Sequence, residues 1–191
     1  MSPEVDPRVE RSRRVIVEAA LAEMADVGYG AMTVEGIAKR ARVSKATIYR
    51  HWAGKLEIIG SALEMLESTM AVDEGVPARE RLARILEWLA DEVGDERNVG
   101  AACLPAMVSA AQYDPAVRDV HHRFSADRRK VLVDMVIEGQ AIGDIDPALE
   151  PELTVELLVG PIFYRRLMTG SSFPAADVAR VIDVVLGPPP G

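Results

Sequence analysis

The sequence has a single cysteine, Cys103, among its 191 residues, which excludes an internal disulfide framework and a cysteine-rich zinc site. No stretch approaches the roughly 20 consecutive apolar residues that a membrane span needs. The first six residues are polar and acidic, unlike a secretory signal peptide. These absences predict a soluble, cytoplasmic protein with a reduced thiol.

Patterns typical of β-strands are also missing. Apolar residues recur instead at three- and four-residue spacing, which is typical of amphipathic helices. In the first segment this stripe consists of Val9, Ile16, Ala20, Met24 and Val27. We therefore predict an all-α fold, built as one ordinary domain or as a small module attached to a modest one.

Charge is distributed unevenly along the chain. The formal net charge of −8 taken alone argues against a nucleic-acid partner. However, residues 1–55 hold ten basic and seven acidic side chains, whereas residues 56–191 hold twelve basic and 23 acidic ones. Between Thr33 and His51 the only acid is Glu35, against five basic residues. This asymmetry favours a small basic module that contacts a polyanion, and a merely solvated helix face is the alternative.

A helix-turn-helix is predicted within the basic module. Thr33 and Ser44 are placed to cap two short helices, and Ile48 and Trp52 lie on the inward side of the second one. The residues that then face outward are Lys45, Ala46, Thr47, Tyr49 and Arg50. Because an α-helix fits the major groove of B-DNA, these side chains can reach base edges and flanking phosphates. An ordinary helical corner is the alternative.

The segment from Thr33 to Lys55 resembles the DNA-binding signature of TetR-type (tetracycline-repressor-like) transcriptional regulators. The residues that match the signature are Thr33, Ile37, Ala38, Ala41, Val43, Ser44, Thr47, Ile48, Tyr49, His51, Trp52 and Lys55. Residues 143–153 and 158–170 are similar to the carboxy-terminal region of one TetR subgroup, so the resemblance covers nearly the whole chain. Arg42 and Ala46 stand where glycine is common, and Arg42 falls in the tight turn, where a positive φ is less comfortable for a residue with a side chain.

The resemblance implies a three-helix helix-turn-helix DNA-binding domain over residues 1–55. It implies a carboxy-terminal helical bundle over residues 56–191 that binds a small-molecule effector and forms a homodimer through the last two helices. The expected function is that of a repressor that binds a palindromic operator in double-stranded DNA and is released by the effector. The last two helices, predicted at 149–169 and 174–186, are apolar on more than one side, as a dimer interface requires.

Roles for individual residues follow from the same resemblance. It implies phosphate contacts for Thr33, Tyr49, His51 and Lys55. The positions implied to lie nearest the bases are Lys45, Ala46, Thr47 and Arg50, and the turn residues Arg42 and Ser44 complete the predicted DNA-binding set. A lysine in the first turn of a helix opposes the helix dipole, so Lys55 has no evident local benefit and a phosphate partner would explain it.

The predicted effector pocket is lined by residues on apolar stripes, for each of which a place in the ordinary core is the alternative. They are Trp88, Met107, Tyr113, Phe124, Met135 and Phe163. Adjacent residues are about 100° apart on a helix, so His121 and His122 cannot share a face as a metal pair would, and we predict no metal site and no cofactor. Cys103 is expected to be a small buried apolar residue.

Two other classes of function stay open at this point. An enzyme built on a helical bundle finds no support, since the sequence has no nucleophile–base pair, glycine-rich phosphate loop or carboxylate–histidine metal motif. A regulator that has lost DNA binding and acts through protein contacts is compatible with Arg42 and Ala46. The sequence does not identify the effector, the operator, the regulated genes or the sign of regulation.

Overall fold

The computed structural model describes residues 7–67, 75–95 and 97–188. It is 81% helical, and no strand occurs within these ranges, which confirms the all-α prediction. Residues 1–6, which lack the features of a signal peptide, and residues 189–191 lie outside the described ranges. No helix in the described part of the chain is both long and apolar enough to cross a membrane.

The α-helices follow one another along the chain. They are α1 Pro7–Ala31, α2 Val34–Ala41, α3 Lys45–Tyr49, α4 Lys55–Glu67, α5 Ala78–Gly94, α6 Val99–Tyr113, α7 Pro115–Ile142, α8 Pro151–Tyr164 and α9 Val178–Leu186. A π-helical turn, Arg165–Thr169, continues α8, and a 3-10 turn, Ala175–Asp177, precedes α9.

The chain divides into two compact units. One unit comprises Met1–Ser68 and Ala102–Phe124, and the other comprises Thr69–Ala101 and Ser125–Gly191. Helices α1 to α4 belong to the first unit, whereas α5, α8 and α9 belong to the second. The domain boundary predicted after residue 55 stays a prediction.

The core of the first unit forms where α1 packs on α2 and α4, and where α2 packs on α3. Ile16, Ala20 and Met24 of the predicted α1 stripe are fully buried, but Val9 and Val27 are 37% and 47% exposed, so the prediction was wrong at both ends. Val9 lies in the first turn of α1, and Val27 directly precedes Gly28, whose φ of 75° and ψ of 160° break the helix within α1.

The core of the second unit forms between α5, α8 and α9, each of which packs on the other two. Leu82 and Leu86 of α5, Leu158 of α8 and Ile182 of α9 are all buried. Arg79, in the first turn of α5, links this helix to the end of α9. Its guanidinium donates to Asp183 Oδ1 at 2.8 Å and to the carbonyl oxygen of Gly187 at 2.7 Å.

Gly139 of α7 marks a close approach in the second unit. A Cβ atom at this position would lie 2.7 Å from Ile145 Cδ1 and 3.0 Å from Ala78 Cβ. Both neighbours are buried, so neither side chain has room to move aside. By contrast, a Cβ atom placed on Gly60 of α4 would have no neighbour within 4 Å.

We expect Gly139→Ala to lower the free energy of unfolding by about 1–2 kcal/mol, because overpacking of the buried contact outweighs the gain in helix propensity. The matched change Gly60→Ala meets no neighbour and should raise it by roughly 0.5–1 kcal/mol. Urea denaturation of the two variants measures both signs. A stabilised Gly139→Ala variant would contradict the packing described for α7.

Candidate nucleic-acid interface

Two side-chain caps define the short helices, as predicted. Thr33 adopts extended backbone angles, and its hydroxyl accepts a hydrogen bond from the N–H of Gly36 at 3.0 Å. Ser44 does the same for α3, since its hydroxyl accepts from the N–H of Thr47 at 3.1 Å. The Ser44 and Thr47 hydroxyls also share a hydrogen bond of 2.9 Å. Both caps satisfy backbone donors that have no partner within the helix.

The turn between α2 and α3 depends on a left-handed residue. Arg42 has φ 56° and ψ 40°, and it is the one residue other than glycine with a positive φ in the described part of the chain. Its N–H donates to the carbonyl oxygen of Lys39 at 3.3 Å, and the N–H of Val43 donates to that of Ala38 at 3.0 Å. The positive φ predicted at this position is confirmed, and the backbone bonds show how the arginine is held there.

Helix α3 is anchored by two buried side chains on either side of its end. Ile48 is fully buried and Trp52 is 3% exposed, and the indole Nε1 of Trp52 donates to Ser61 Oγ at 2.9 Å. The guanidinium of Arg13 lies 5.4 Å from the centroid of the Trp52 ring, within cation–π range. These contacts fix which side of α3 faces the core.

The predicted DNA-binding residues lie on α3 and on the segments that flank it. The ones that are exposed are Thr33, Arg42, Ser44, Lys45, Ala46, Tyr49 and Arg50, and Thr47, His51 and Lys55 are partly buried. Tyr49 is 55% exposed, a large fraction for an aromatic side chain. Helix α3 ends at Tyr49. Seven of these side chains are therefore open to solvent, and their contacts with DNA stay a prediction.

Cations of this segment form ion pairs within the protein. Lys45 Nζ contacts Glu35 Oε1, and this hydrogen bond holds the pKa of the Glu35 carboxyl below its usual value. Arg40 bridges to α1, where it donates to Glu23 at 3.1 Å and to Asp26 at 2.5 Å. Within the described residues, no ion pair involves Lys39, Arg42 or Arg50, so these three cations of the segment are available to a polyanion.

The structure corrects the argument made for Lys55. Its Nζ donates to the carbonyl oxygens of Tyr29 at 2.6 Å and Met32 at 3.0 Å, and it lies 4.3 Å from the centroid of the Tyr29 ring. The expectation that Lys55 has no local benefit was wrong, because two backbone carbonyl oxygens, one near the end of α1 and one just after it, accept hydrogen bonds from its ammonium group. An ammonium group has three donors, so one remains for a phosphate.

The predicted pocket residues fall in different surroundings. Tyr113 is 87% exposed, so the expectation that it sits on an apolar, inward-facing stripe was wrong. It is the last residue of α6, where no further turn covers its ring. Met107 and Met135 are buried, and Trp88, Phe124 and Phe163 are partly buried. The guanidinium of Arg128 lies 5.6 Å from the centroid of the Trp88 ring.

Cys103 is buried, and His121 is partly buried. Cys103 is 3% exposed, and burial raises the pKa of its thiol to about 11, which confirms that it behaves as a buried apolar residue. Burial and the neighbouring His122 lower the pKa of His121. Among the described residues, no three metal-ligating side chains come together.

Comparison with known proteins gives matches to both halves of the chain. Residues 16–62 match the family model described as bacterial regulatory proteins of the tetR family, and residues 72–185 match that of the tetracyclin repressor-like C-terminal domain. The chain is 31% identical to the HTH-type transcriptional regulator YdeS of Bacillus subtilis over 173 residues, which cover 86% of this chain and 82% of that one. It is 24% identical to the DNA-binding transcriptional repressor TetR of Mycobacteroides abscessus, over 94% of each chain.

Solved structures share the fold. A TetR-family transcriptional regulator from Rhodococcus sp. superposes with a TM-score of 0.75 at 25% identity, covering 92% of this chain and 99% of that one. The regulator FadR from Bacillus subtilis, solved in complex with stearoyl-CoA, has a TM-score of 0.72 at 22% identity and covers 92% and 98%. The capped helix-turn-helix, the helical second unit and the two family matches lead to one conclusion: this chain is a helix-turn-helix DNA-binding transcriptional regulator that belongs to the TetR family.

Proposed function

We propose that this regulator is a repressor that binds a palindromic operator as a homodimer and is released by a small-molecule effector. The observation that carries the proposal is the exposed face of α3, with Lys45, Tyr49 and Arg50, in the basic segment of an acidic chain. The name of the Mycobacteroides abscessus relative, a transcriptional repressor, supports repression over activation. A cytoplasmic location follows from this role.

The proposed DNA contacts fall into two groups, those with phosphates and those with base edges. We call the ten predicted DNA-binding residues the reading surface. Those that we assign to the phosphates are Thr33, Arg42, Ser44, Tyr49, His51 and Lys55. Lys45, Ala46, Thr47 and Arg50 are assigned to the base edges. A helix of 5 residues is only about 7.5 Å long, so one copy touches too few base pairs to specify a genomic site. Two copies and a palindromic operator meet that need.

The apolar surface of α8 and α9 supports the homodimer. Leu153, Leu157 and Tyr164 of α8 are 53%, 52% and 61% exposed, and their spacing places them on one face of the helix. Val184 of α9, which packs beside α8, is 78% exposed. Exposed apolar patches of this kind mark interaction sites, and we propose that a second copy of the chain covers this one.

The effector is assigned to the second unit. The FadR structure contains stearoyl-CoA, so a protein with this fold can hold a small molecule. We propose that Trp88, Met135 and Phe163, which belong to one unit of this chain, line the pocket; Met107 and Phe124 stay predictions. Release then requires that the effector binds the DNA-competent and DNA-incompetent states with unequal affinity.

The direct test is selection of bound duplexes from a random-sequence pool. We expect a palindromic sequence that binds at least about 1,000-fold more tightly than the unselected pool, with affinity that falls steeply as salt rises. Lys45→Gln should weaken binding to the selected duplex about 5- to 150-fold and affect the pool less. Lys130→Gln, the same charge change at a lysine 72% exposed on α7, is the control.

No enrichment of any sequence would contradict DNA recognition and favour a regulator that acts through protein contacts. An equal loss for Lys45→Gln on both duplexes would reassign Lys45 from the bases to a phosphate.

Lys55 should contribute to stability as well as to DNA binding. Lys55→Met leaves the carbonyls of Tyr29 and Met32 without their charged donor, and we expect the free energy of unfolding to fall by roughly 1.5–3 kcal/mol. Lys39→Met, at an exposed position on α2, should change it little. Thermal denaturation measures both. If the Lys55→Met variant binds DNA more weakly but unfolds with the wild-type free energy, Lys55 acts only in DNA binding and the proposed contribution to stability is wrong.

The dimer surface can be tested with a single charge. Leu157→Glu places a carboxylate in the proposed interface, so we expect a monomer in sedimentation velocity and a loss of operator affinity of about 100-fold or more. Ile142→Glu introduces the same charge at an apolar residue of α7 that is 66% exposed, and it should remain a dimer. A Leu157→Glu variant with the wild-type sedimentation coefficient would refute this interface.

A further inference from the structure

Glu35 is out of place on a surface that meets DNA. It is the only acid between Thr33 and His51, and its side chain is 64% exposed, in the first turn of α2 beside the capping residue Thr33. A carboxylate at such a position repels phosphates. Its one ion pair within the described residues is with Lys45, the first residue of α3, which is 52% exposed.

Stability of the helix-turn-helix does not account for this pair. Exposed ion pairs contribute little to folding. The relative positions of the helices are already held by other contacts, because Ile37 and Ala41 of α2 are buried where α2 packs on α1. Buried Ile48 and the backbone bond from Val43 to Ala38 hold α3 against α2. What the pair does determine is where the Lys45 ammonium lies before DNA arrives.

We propose that Glu35 is a specificity-determining residue of the reading surface, which holds Lys45 for base edges and keeps it from the phosphates. The proposal rests on the proposed function, in which α3 enters the major groove. An ammonium group has three donors. One satisfies Glu35, and two remain for paired acceptors such as O6 and N7 of a guanine.

The two kinds of DNA differ in what they offer the paired lysine. On the operator, Lys45 donates to bases and keeps its contact with Glu35, so the carboxylate stays neutralised. Unrelated DNA also carries acceptors such as purine N7 in its major groove, but no matched pair is held in register with Lys45. The ammonium group then contacts either Glu35 or a phosphate. Because Glu35 is already in place, it lowers the share of Lys45 in sequence-independent binding, the part of the affinity that comes from phosphates.

Glu35→Gln removes the charge and keeps the size of the side chain. We expect its affinity for the unselected random pool to rise about two- to fivefold, the coupling measured for exposed ion pairs. The slope of log affinity against log salt on that pool should steepen by up to about 0.9, since one more cation reaches a phosphate. Affinity for the selected operator should change less, so the ratio of operator to pool affinity falls.

Two controls separate this role from general charge. Glu18→Gln makes the same change at an exposed position of α1, and it should shift both affinities equally. In a Lys45→Gln background, Glu35→Gln should behave like Glu18→Gln, because the residue on which it acts is gone. Thermal denaturation should show at most a slightly lower midpoint for the Glu35→Gln variant, because a carboxylate in the first turn of α2 interacts favourably with the helix dipole.

The inference is overturned if Glu35→Gln leaves the affinity ratio unchanged or raises it, if Glu18→Gln lowers the ratio as much, or if the effect persists without Lys45. Failure of the proposed function has a different signature, since the wild-type protein would then select no sequence at all. A selected operator combined with an unchanged ratio removes the role of Glu35 and leaves the function standing.

Discussion

The direction of α3 depends on one left-handed residue. With φ 56°, Arg42 turns the chain so that Ser44 can cap α3 and Ile48 can reach the core. A left-handed conformation costs a residue with a side chain about 1–2 kcal/mol. Full burial of Ile48 contributes about 1.5–3 kcal/mol and offsets that cost. Every proposed contact with DNA assumes this balance, because a different turn would present another side of α3.

The basic segment holds several of its cations in fixed places before any DNA is present. Arg40 is bound to two carboxylates of α1, Lys45 to Glu35, and Lys55 to two carbonyl oxygens. Long cationic side chains lose conformational entropy when a ligand fixes them, and contacts made in advance reduce that loss. On the proposal made for Glu35, this acid is part of the DNA-contacting surface, although the net charge of the chain suggests only repulsion.

Local patterns predicted the helix-turn-helix well. The caps Thr33 and Ser44 and the anchors Ile48 and Trp52 depend on neighbours within a few residues, and all four are where the spacing placed them. The partners of Lys55 lie 26 and 23 residues away, and no local pattern brings them together. Tyr113 was misplaced for a related reason, since helical periodicity indicates which residues share a face but not where a helix runs out of neighbours.

The central claim is that α3 contacts the operator. The most direct measurement is a titration of the 15N-labelled protein with the selected operator duplex, followed through its backbone amide resonances. The account predicts the largest shifts at Thr33 and from Ser44 to Arg50, with small shifts in α5 and α9. Shifts confined to the second unit, with those of α3 unchanged, would contradict the claim that this helix reads the operator.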